Sequence, residues 1–234
     1  MKFDAKPVAL ASFPGSGNTW TRYLLQQATG IWTGSIYHDK ALTEHVFLSK
    51  DIHDSSVLFV KTHRYKKEDM KIYSKAVLIV RDPKDAILAE FNRQKGGRVG
   101  HASLDKFAGK GHFRKFYSKN SDEILIFFSD WNGFVSKRIH LWNQTNFGWK
   151  DNFEGPVCIL YYDDLKENIE KSLRKVLNFA GFPINETLLK CAVDRKNGIP
   201  KRKKMESKFD PFTAKMKEMI NKQKLLVFTE LNRS

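Results

Sequence analysis

Apolar residues along the chain fall into short runs, separated by longer stretches of helical spacing. Pro7 to Phe13 (PVALASF), Val57 to Val60, Ala76 to Val80 and Val157 to Tyr161 are four to seven residues long and rich in β-branched or small apolar side chains. Each reads as a short buried strand. Between them the period lengthens to that of a helix over Asn18 to Ala28, which Gly30 closes, and over Pro83 to Arg93. A long amphipathic stretch around Asp130 to Asn143 and another from Leu165 to Phe179 follow the same period. Short strands alternating with helices predict a parallel sheet covered on both faces, hence a three-layer α/β domain. No internal repeat, low-complexity tract or Pro/Gly linker divides the chain, so a single domain is expected over residues 1–234.

Composition narrows this picture. A chain of 234 residues, 41% of them hydrophobic, can close a core without staples, which excludes a disordered protein. Two cysteines, Cys158 and Cys191, do not make a disulfide scaffold. No uninterrupted apolar run approaches the roughly 20 residues that span a bilayer. The stretch Met1 to Ala11 is too short and too charged for a secretory signal. As written, the expectation is a soluble, cytoplasmic protein.

The formal net charge is +15, and its placement matters more than its size. Residues 1–60 balance five basic against five acidic side chains. Residues 93–119 carry eight basic side chains against Asp105 alone, and residues 190–208 carry eight against two acids. Two concentrated segments rich in loop-forming residues call for an anionic ligand, with nucleic acid, a phosphorylated cofactor and an acidic glycan all qualifying.

The first chemical signal is Pro14-Gly15-Ser16-Gly17, a turn between a buried strand and a helix. Such a turn aims several backbone N–H groups at one point, and the helix dipole adds positive potential there. Asn18 and Thr19 can cap the helix or donate to a phosphate oxygen; a plain capped helix is the alternative. Nucleoside triphosphatases of this shape need G-x-x-x-x-G-K-[ST], with Lys on the terminal phosphates. Here Gly17 is followed by Asn18 and Thr19 with no Lys, so the loop suits a phosphate but not ATP hydrolysis.

The run Ser12-Phe13-Pro14-Gly15-Ser16-Gly17-Asn18-Thr19-Trp20 resembles the 5′-phosphosulfate loop of sulfotransferases that use 3′-phosphoadenosine-5′-phosphosulfate (PAPS). The match is nearest to the sulfotransferase domain of the WSC-domain, or sialate O-, sulfotransferases. Their loop is followed by a TG-x-x-TGS element, here Thr29 to Ser35. Val60-Lys61-Thr62-His63, Val80-Arg81-Asp82-Pro83 with Ala89 to Arg93, Tyr162-Asp163-Asp164-Leu165 and Asp210-Pro211-Phe212-Thr213 then match in order. The resemblance runs from about Ala9 to about Ile220. It implies a P-loop-like sulfotransferase fold, PAPS as donor co-substrate and no metal. No His/Cys/Asp cluster stands at metal-ligand spacing in the sequence.

By that resemblance His63 is the general base, a role a poor hydroxyl nucleophile needs filled. Lys61, two residues earlier on the same strand face, offsets charge at the transferring group. Gly15, Ser16, Gly17, Asn18, Thr19 and Trp20 form the donor loop. Arg81, at a strand end, has the bidentate geometry for the donor's 3′-phosphate. Trp20 and Tyr162 match adenine-holding aromatics, although both could be core. Lys201 and Arg202 belong to a late basic loop, Gly198 to Lys204, that closes over the 3′-phosphate; Lys201 to Lys204 also reads as a nuclear-localisation patch.

Two positions depart from the pattern. Cytosolic sulfotransferases have Lys where this chain has Gly15, leaving a cationic role for Lys61 or Arg22. A serine that binds the 3′-phosphate is replaced by Ala89, with Asn92 or Arg93 as substitutes. The acceptor is expected to be an acidic, sialylated glycan, met by a mobile loop from Arg93 to Lys119 that includes Arg98, Arg114 and Lys115. The alternative is a catalytically degenerate sulfotransferase-like module that binds nucleotide, acidic glycan or nucleic acid. The resemblance also implies a Golgi location if an N-terminal anchor is missing; the oligomeric state is open.

Overall fold

Five parallel strands form the centre of the molecule. The computed structural model describes residues 6–37, 56–97, 100–107, 131–198 and 209–233, with 112–117, 123–128 and 130 as backbone. In chain order the sheet strands are β1 (Val8–Ser12), β2 (Gly34–Ser35), β3 (Phe59–Thr62), β4 (Lys75–Val80) and β7 (Val157–Tyr161). A separate antiparallel hairpin pairs β5 (His112–Tyr117) with β6 (Glu123–Phe128). The helices are α1 (Asn18–Thr29), α2 (Lys67–Met70), α3 (Pro83–Gly96), α4 (Leu104–Phe107) and α5 (Asp130–Asp151). They continue with α6 (Tyr162–Glu167), α7 (Ile169–Ala180), α8 (Glu186–Asp194) and α9 (Ala214–Glu230). Among the described residues no helix is long and apolar enough to cross a membrane.

The sheet order is β2-β3-β1-β4-β7, every pair parallel. Strands buried on both faces need apolar residues at successive positions, which is why they read as runs rather than alternations. In β1, Ala9 and Ala11 face one core while Val8 and Leu10 face the other. In β4, Ala76, Leu78 and Val80 share the first face and Val77 and Ile79 the second. The first core is roofed by α3, α5 and α9, with Trp142, Trp149 and Phe91 fully buried; the second by α1, α7 and α8. That is the three-layer arrangement the pattern predicts.

Three differences bear on the site. The strand expected at Val57 to Val60 sits two residues later, so Lys61 and Thr62 lie in β3 and His63 follows its last residue. The single helix expected over Leu165 to Phe179 is broken at Asn168, whose side chain accepts from Lys171 N–H and caps α7. An Asn that satisfies the next helix's first N–H groups outcompetes continuation of its own turn. The stretch Arg93 to Lys119, expected as a loop, contains the end of α3, all of α4 and strand β5.

The chain goes from β1 to β2 and β3 on one side, then crosses to β4 on the other. Ligands in open α/β sheets bind outside the carboxyl ends of the strands, at such a switch point. Ser12, His63, Arg81 and Tyr162 all stand at carboxyl ends of strands.

Candidate active site

The turn after β1 depends on two glycines in the left-handed region, Gly15 at φ 87° and Gly17 at φ 90°. A Cβ on Gly15 would stand 2.3 Å from the carbonyl oxygen of Ala86 in α3, and one on Gly17 would stand 2.4 Å from the Tyr162 ring. Both positions therefore exclude side chains sterically as well as conformationally. Gly17 is the residue before α1 and supplies no side-chain cap, so the first N–H groups of the helix are unmet by a cap.

Asn18 turns away from the loop mouth. Its amide donates to Leu10 C=O at 2.8 Å and to Ser12 Oγ at 3.1 Å, tying the helix start to β1. The side-chain amide nitrogen is thus a brace between α1 and β1. Ser16 Oγ and Arg81 Nε are buried and without a hydrogen-bond partner. Asn18 Oδ1 is a third such atom at this turn, and buried polar atoms left unpaired cost free energy.

Arg81 leaves β4 as the strand ends. One terminal nitrogen donates to Gly15 C=O at 2.9 Å, and the other lies 3.8 Å from Asp85. Its guanidinium lies 4.5 Å from the centroid of Tyr162, which in turn packs edge-on against Trp20 at 5.8 Å. The sequence-predicted group Gly15, Gly17, Trp20, Arg81 and Tyr162 is therefore brought together. Trp20 Nε1 donates to Lys196 C=O at 2.9 Å and Tyr23 Oη to Arg195 C=O at 3.0 Å. These bonds pin the segment entering the basic loop against α1. Lys201 and Arg202 lie outside the described residues, as does Arg98.

His63 follows β3 directly. Leu10 pairs with Lys61 and Ala11 with Thr62, so the parallel register carries Ser12 alongside His63. His63 Nδ1 lies 2.7 Å from Ser12 C=O. A carbonyl only accepts, so Nδ1 carries the proton and Nε2 keeps its lone pair. Burial, then the Lys61 ammonium, lower the imidazole pKa to about 3, despite the Ser12 carbonyl, which raises it. The ring is neutral at any working pH. His63 also borders a surface cavity whose wall is Arg64, Tyr65, Lys66, Glu68 and Asp69.

Lys61 is buried on β3, with Nζ 5.8 Å from the centroid of Tyr37. The other cation considered for the role, Arg22, donates from Nε and a terminal nitrogen to Thr33 Oγ1 and C=O, at 3.1 and 2.7 Å. It joins α1 to the TG-x-x-TGS element. Neither substitute for the missing serine is idle. Asn92 Oδ1 accepts the Ala102 N–H at 2.9 Å, and Arg93 grips the buried Glu90 through two bonds of 2.7 Å. Sequence reasoning missed Ser12 as the partner of His63 and missed Tyr37 altogether. Ser12 was legible as the last strand residue before the turn; Tyr37 carries no such signal.

The chain is similar to known proteins in sequence and in fold. The family model described as "Sulfotransferase domain" matches residues 5–225. The chain is 47% identical over 226 residues to a WSCD family member of Aedes aegypti and 46% identical to one of Drosophila melanogaster. Each alignment covers 96% of this chain and 66% of the relative, so the chain spans about two thirds of the length of these relatives. Among solved structures, a mouse sulfotransferase complexed with PAP superposes with a TM-score of 0.56 at 15% identity, over 98% of this chain and 86% of that one. A retinol dehydratase in complex with androsterone and inactive cofactor PAP gives 0.53 at 13%, over 95% and 80%. At such identities these two speak for the fold.

Proposed function

The chain belongs to the sulfotransferase domain family, and on that premise we propose that it moves a sulfuryl group from PAPS to an acceptor hydroxyl. PAPS supplies the activated sulfuryl group. The Gly15 to Thr19 turn and Arg81 hold its phosphates, and the unpaired Ser16 Oγ and Arg81 Nε fit that task. Trp20 and Tyr162 offer aromatic surface for the adenine. Lys201 and Arg202 are assigned to the 3′-phosphate by the resemblance of Gly198 to Lys204 to the family's late basic loop. His63 Nε2 takes the proton of the acceptor hydroxyl as its oxygen bonds sulfur. Lys61 offsets the charge left on the phosphate oxygen when its bond to sulfur breaks. The product is the 3′,5′-bisphosphate.

The observation that carries this reading is the bond from His63 to Ser12 C=O. One strand end thereby supports both the phosphate turn and the base, and it sets the base's tautomer.

An acidic, sialylated glycan is the acceptor we favour. The wall beside His63 presents Arg64 and Lys66 together with two carboxylates and Tyr65, a surface for charged, hydroxyl-rich molecules rather than a phenol or steroid. The excess charge of residues 93–119 points the same way. The test is transfer of labelled sulfate from PAPS to sialylated glycan, repeated with desialylated glycan and with added salt. His63→Ala should lower turnover by about 10²–10⁴-fold with bisphosphate affinity nearly unchanged. Acceptor affinity should fall steeply with salt, since attraction is screened beyond about 8 Å at physiological strength. A folded His63→Ala variant with normal turnover removes the base. A desialylated glycan serving equally well, without salt dependence, removes the acceptor but not the transfer reaction. A non-catalytic module would bind the bisphosphate equally well and transfer nothing.

A further inference from the structure

Tyr37 touches both side chains assigned to the transfer step. At the sheet edge Ser35 pairs with Lys61, and Ile36 N–H donates to Lys61 C=O at 3.3 Å. Ser35 Oγ then accepts the Tyr37 N–H at 3.1 Å, a tight turn that ends β2 and brings the phenol back over the end of β3. There Tyr37 Oη accepts the His63 backbone N–H at 2.9 Å. The phenol and imidazole rings stack with centroids 5.5 Å apart and planes at 29°, and the Lys61 ammonium faces the same phenol ring.

Resting on the reading of His63 as base, we propose that Tyr37 is a positioning residue for sulfuryl transfer, which holds the His63 imidazole and the Lys61 ammonium through one ring. The Ser12 carbonyl sets the tautomer of His63, and Ser12 Oγ lies 3.2 Å from the same Nδ1. Both contacts meet one ring nitrogen and leave the rest of the imidazole able to swing about it. The stacked phenol closes one face of the imidazole and removes that freedom. β2 ends at Ser35, so the His63 N–H has no strand carbonyl on that side, and Tyr37 Oη takes the carbonyl's place. On the π-face, the ammonium is drawn toward the ring by its quadrupole. A displacement of about 1 Å at a reacting group costs on the order of 10²-fold in rate, so the device bears on turnover rather than on donor affinity.

Two variants test it, read by turnover of labelled PAPS (to sialylated glycan or to water) and by the ¹⁵N resonances of the His63 ring. Tyr37→Phe keeps the stack and the π-face and loses the hydroxyl, with its bonds to the His63 N–H and the Thr62 side chain; a several-fold lower kcat is expected. Tyr37→Leu loses all of these contacts; kcat should fall by roughly 10- to 100-fold, with the KM for PAPS within about twofold and the single Nδ1–H tautomer replaced by a mixture. Should the Leu variant not fold, the Phe variant decides alone, its imidazole resonances shifting with kcat. Wild-type kcat and unchanged ring resonances in the folded variants overturn the inference. His63→Ala separates the two claims. Normal turnover there removes the base and this inference with it, whereas lost turnover there, beside normal turnover in both Tyr37 variants, overturns the inference alone.

Discussion

At the scale of single residues, His63 is the one whose environment departs furthest from the sequence-based expectation. Sequence reasoning asks for a base near neutral pKa; burial and then Lys61 lower it from 6.5 to about 3 in the free protein. A bound anionic donor offsets the Lys61 charge and moves the value back up. Between pH 6.5 and 3 the unfolded chain binds a proton at this residue that the folded one refuses. The stability contribution of His63 is therefore complete above 6.5 and is lost as pH falls toward 3. The expected kcat/KM profile has no His63 limb between pH 5 and 7, and an NMR titration of the free protein should place the imidazole near 3, rising when the bisphosphate binds. An imidazole titrating near 6.5 in the free protein contradicts the half-buried, Ser12-bound ring.

Gly15 is the other residue whose meaning the structure changes. Its departure from the cytosolic Lys leaves a cationic role to fill, yet no side chain fits at φ 87° with Ala86 C=O 2.3 Å from the Cβ position. Arg22 is committed to Thr33, which leaves Lys61 as the cation we propose for the role. Introducing the missing Lys cannot restore it. Gly15→Lys should destabilise the fold by about 1–3 kcal/mol for the backbone strain alone and lose bisphosphate binding, as thermal melts and titration will read. A stable variant that binds as tightly as the parent contradicts the close packing of this turn on α3.

At the scale of elements, β1, β4, β7, α1 and α3 were legible because apolar runs, the glycines and Pro83 mark them on the chain. The edge strand β2 was not: two residues carry no period, and only pairing to β3 makes them a strand. Helix α9 was missed because it is held by tertiary contacts rather than by a clean stripe. Its Lys224 pairs with Asp82 at the start of α3, and Lys217 shares Asp210 with Lys84. The Asp210 network ties the return of the chain after the late basic loop to the helix that follows Arg81. Burial pushes the Asp210 pKa up, but the bond from Lys217, then the Phe212 N–H and Lys84, hold it at about 2. A depressed carboxyl contributes stability above its unfolded pKa of about 4 and loses it as pH falls toward 2. Asp210→Asn should therefore be less stable than the parent at pH 7, by an amount that shrinks between pH 4 and 2. A difference independent of pH would show that the charge of Asp210 is not what ties α3 to α9.

At the scale of the whole molecule, the sheet brings Arg81 and Lys61, two of the cations proposed for the donor, to its carboxyl end. Arg81 lies where β4 ends, Lys61 where β3 ends, and the helix dipole of α1 points at the same turn. How the site is assembled was less legible than which residues form it. Motif order brought out His63, Lys61, Arg81 and Tyr162, but the partners that orient them, Ser12, Tyr37 and the Gly15 carbonyl, come from other strands and turns and leave no local spacing. The central claim is that this end of the sheet is built for a nucleotide with a 3′-phosphate. Titration of the purified protein with the 3′,5′-bisphosphate and with ADP, at equal ionic strength, tests it most directly. Charge-assisted contacts of about 1.5–3 kcal/mol should make the bisphosphate bind roughly 10- to 100-fold more tightly, and equal affinity for the two would contradict the account.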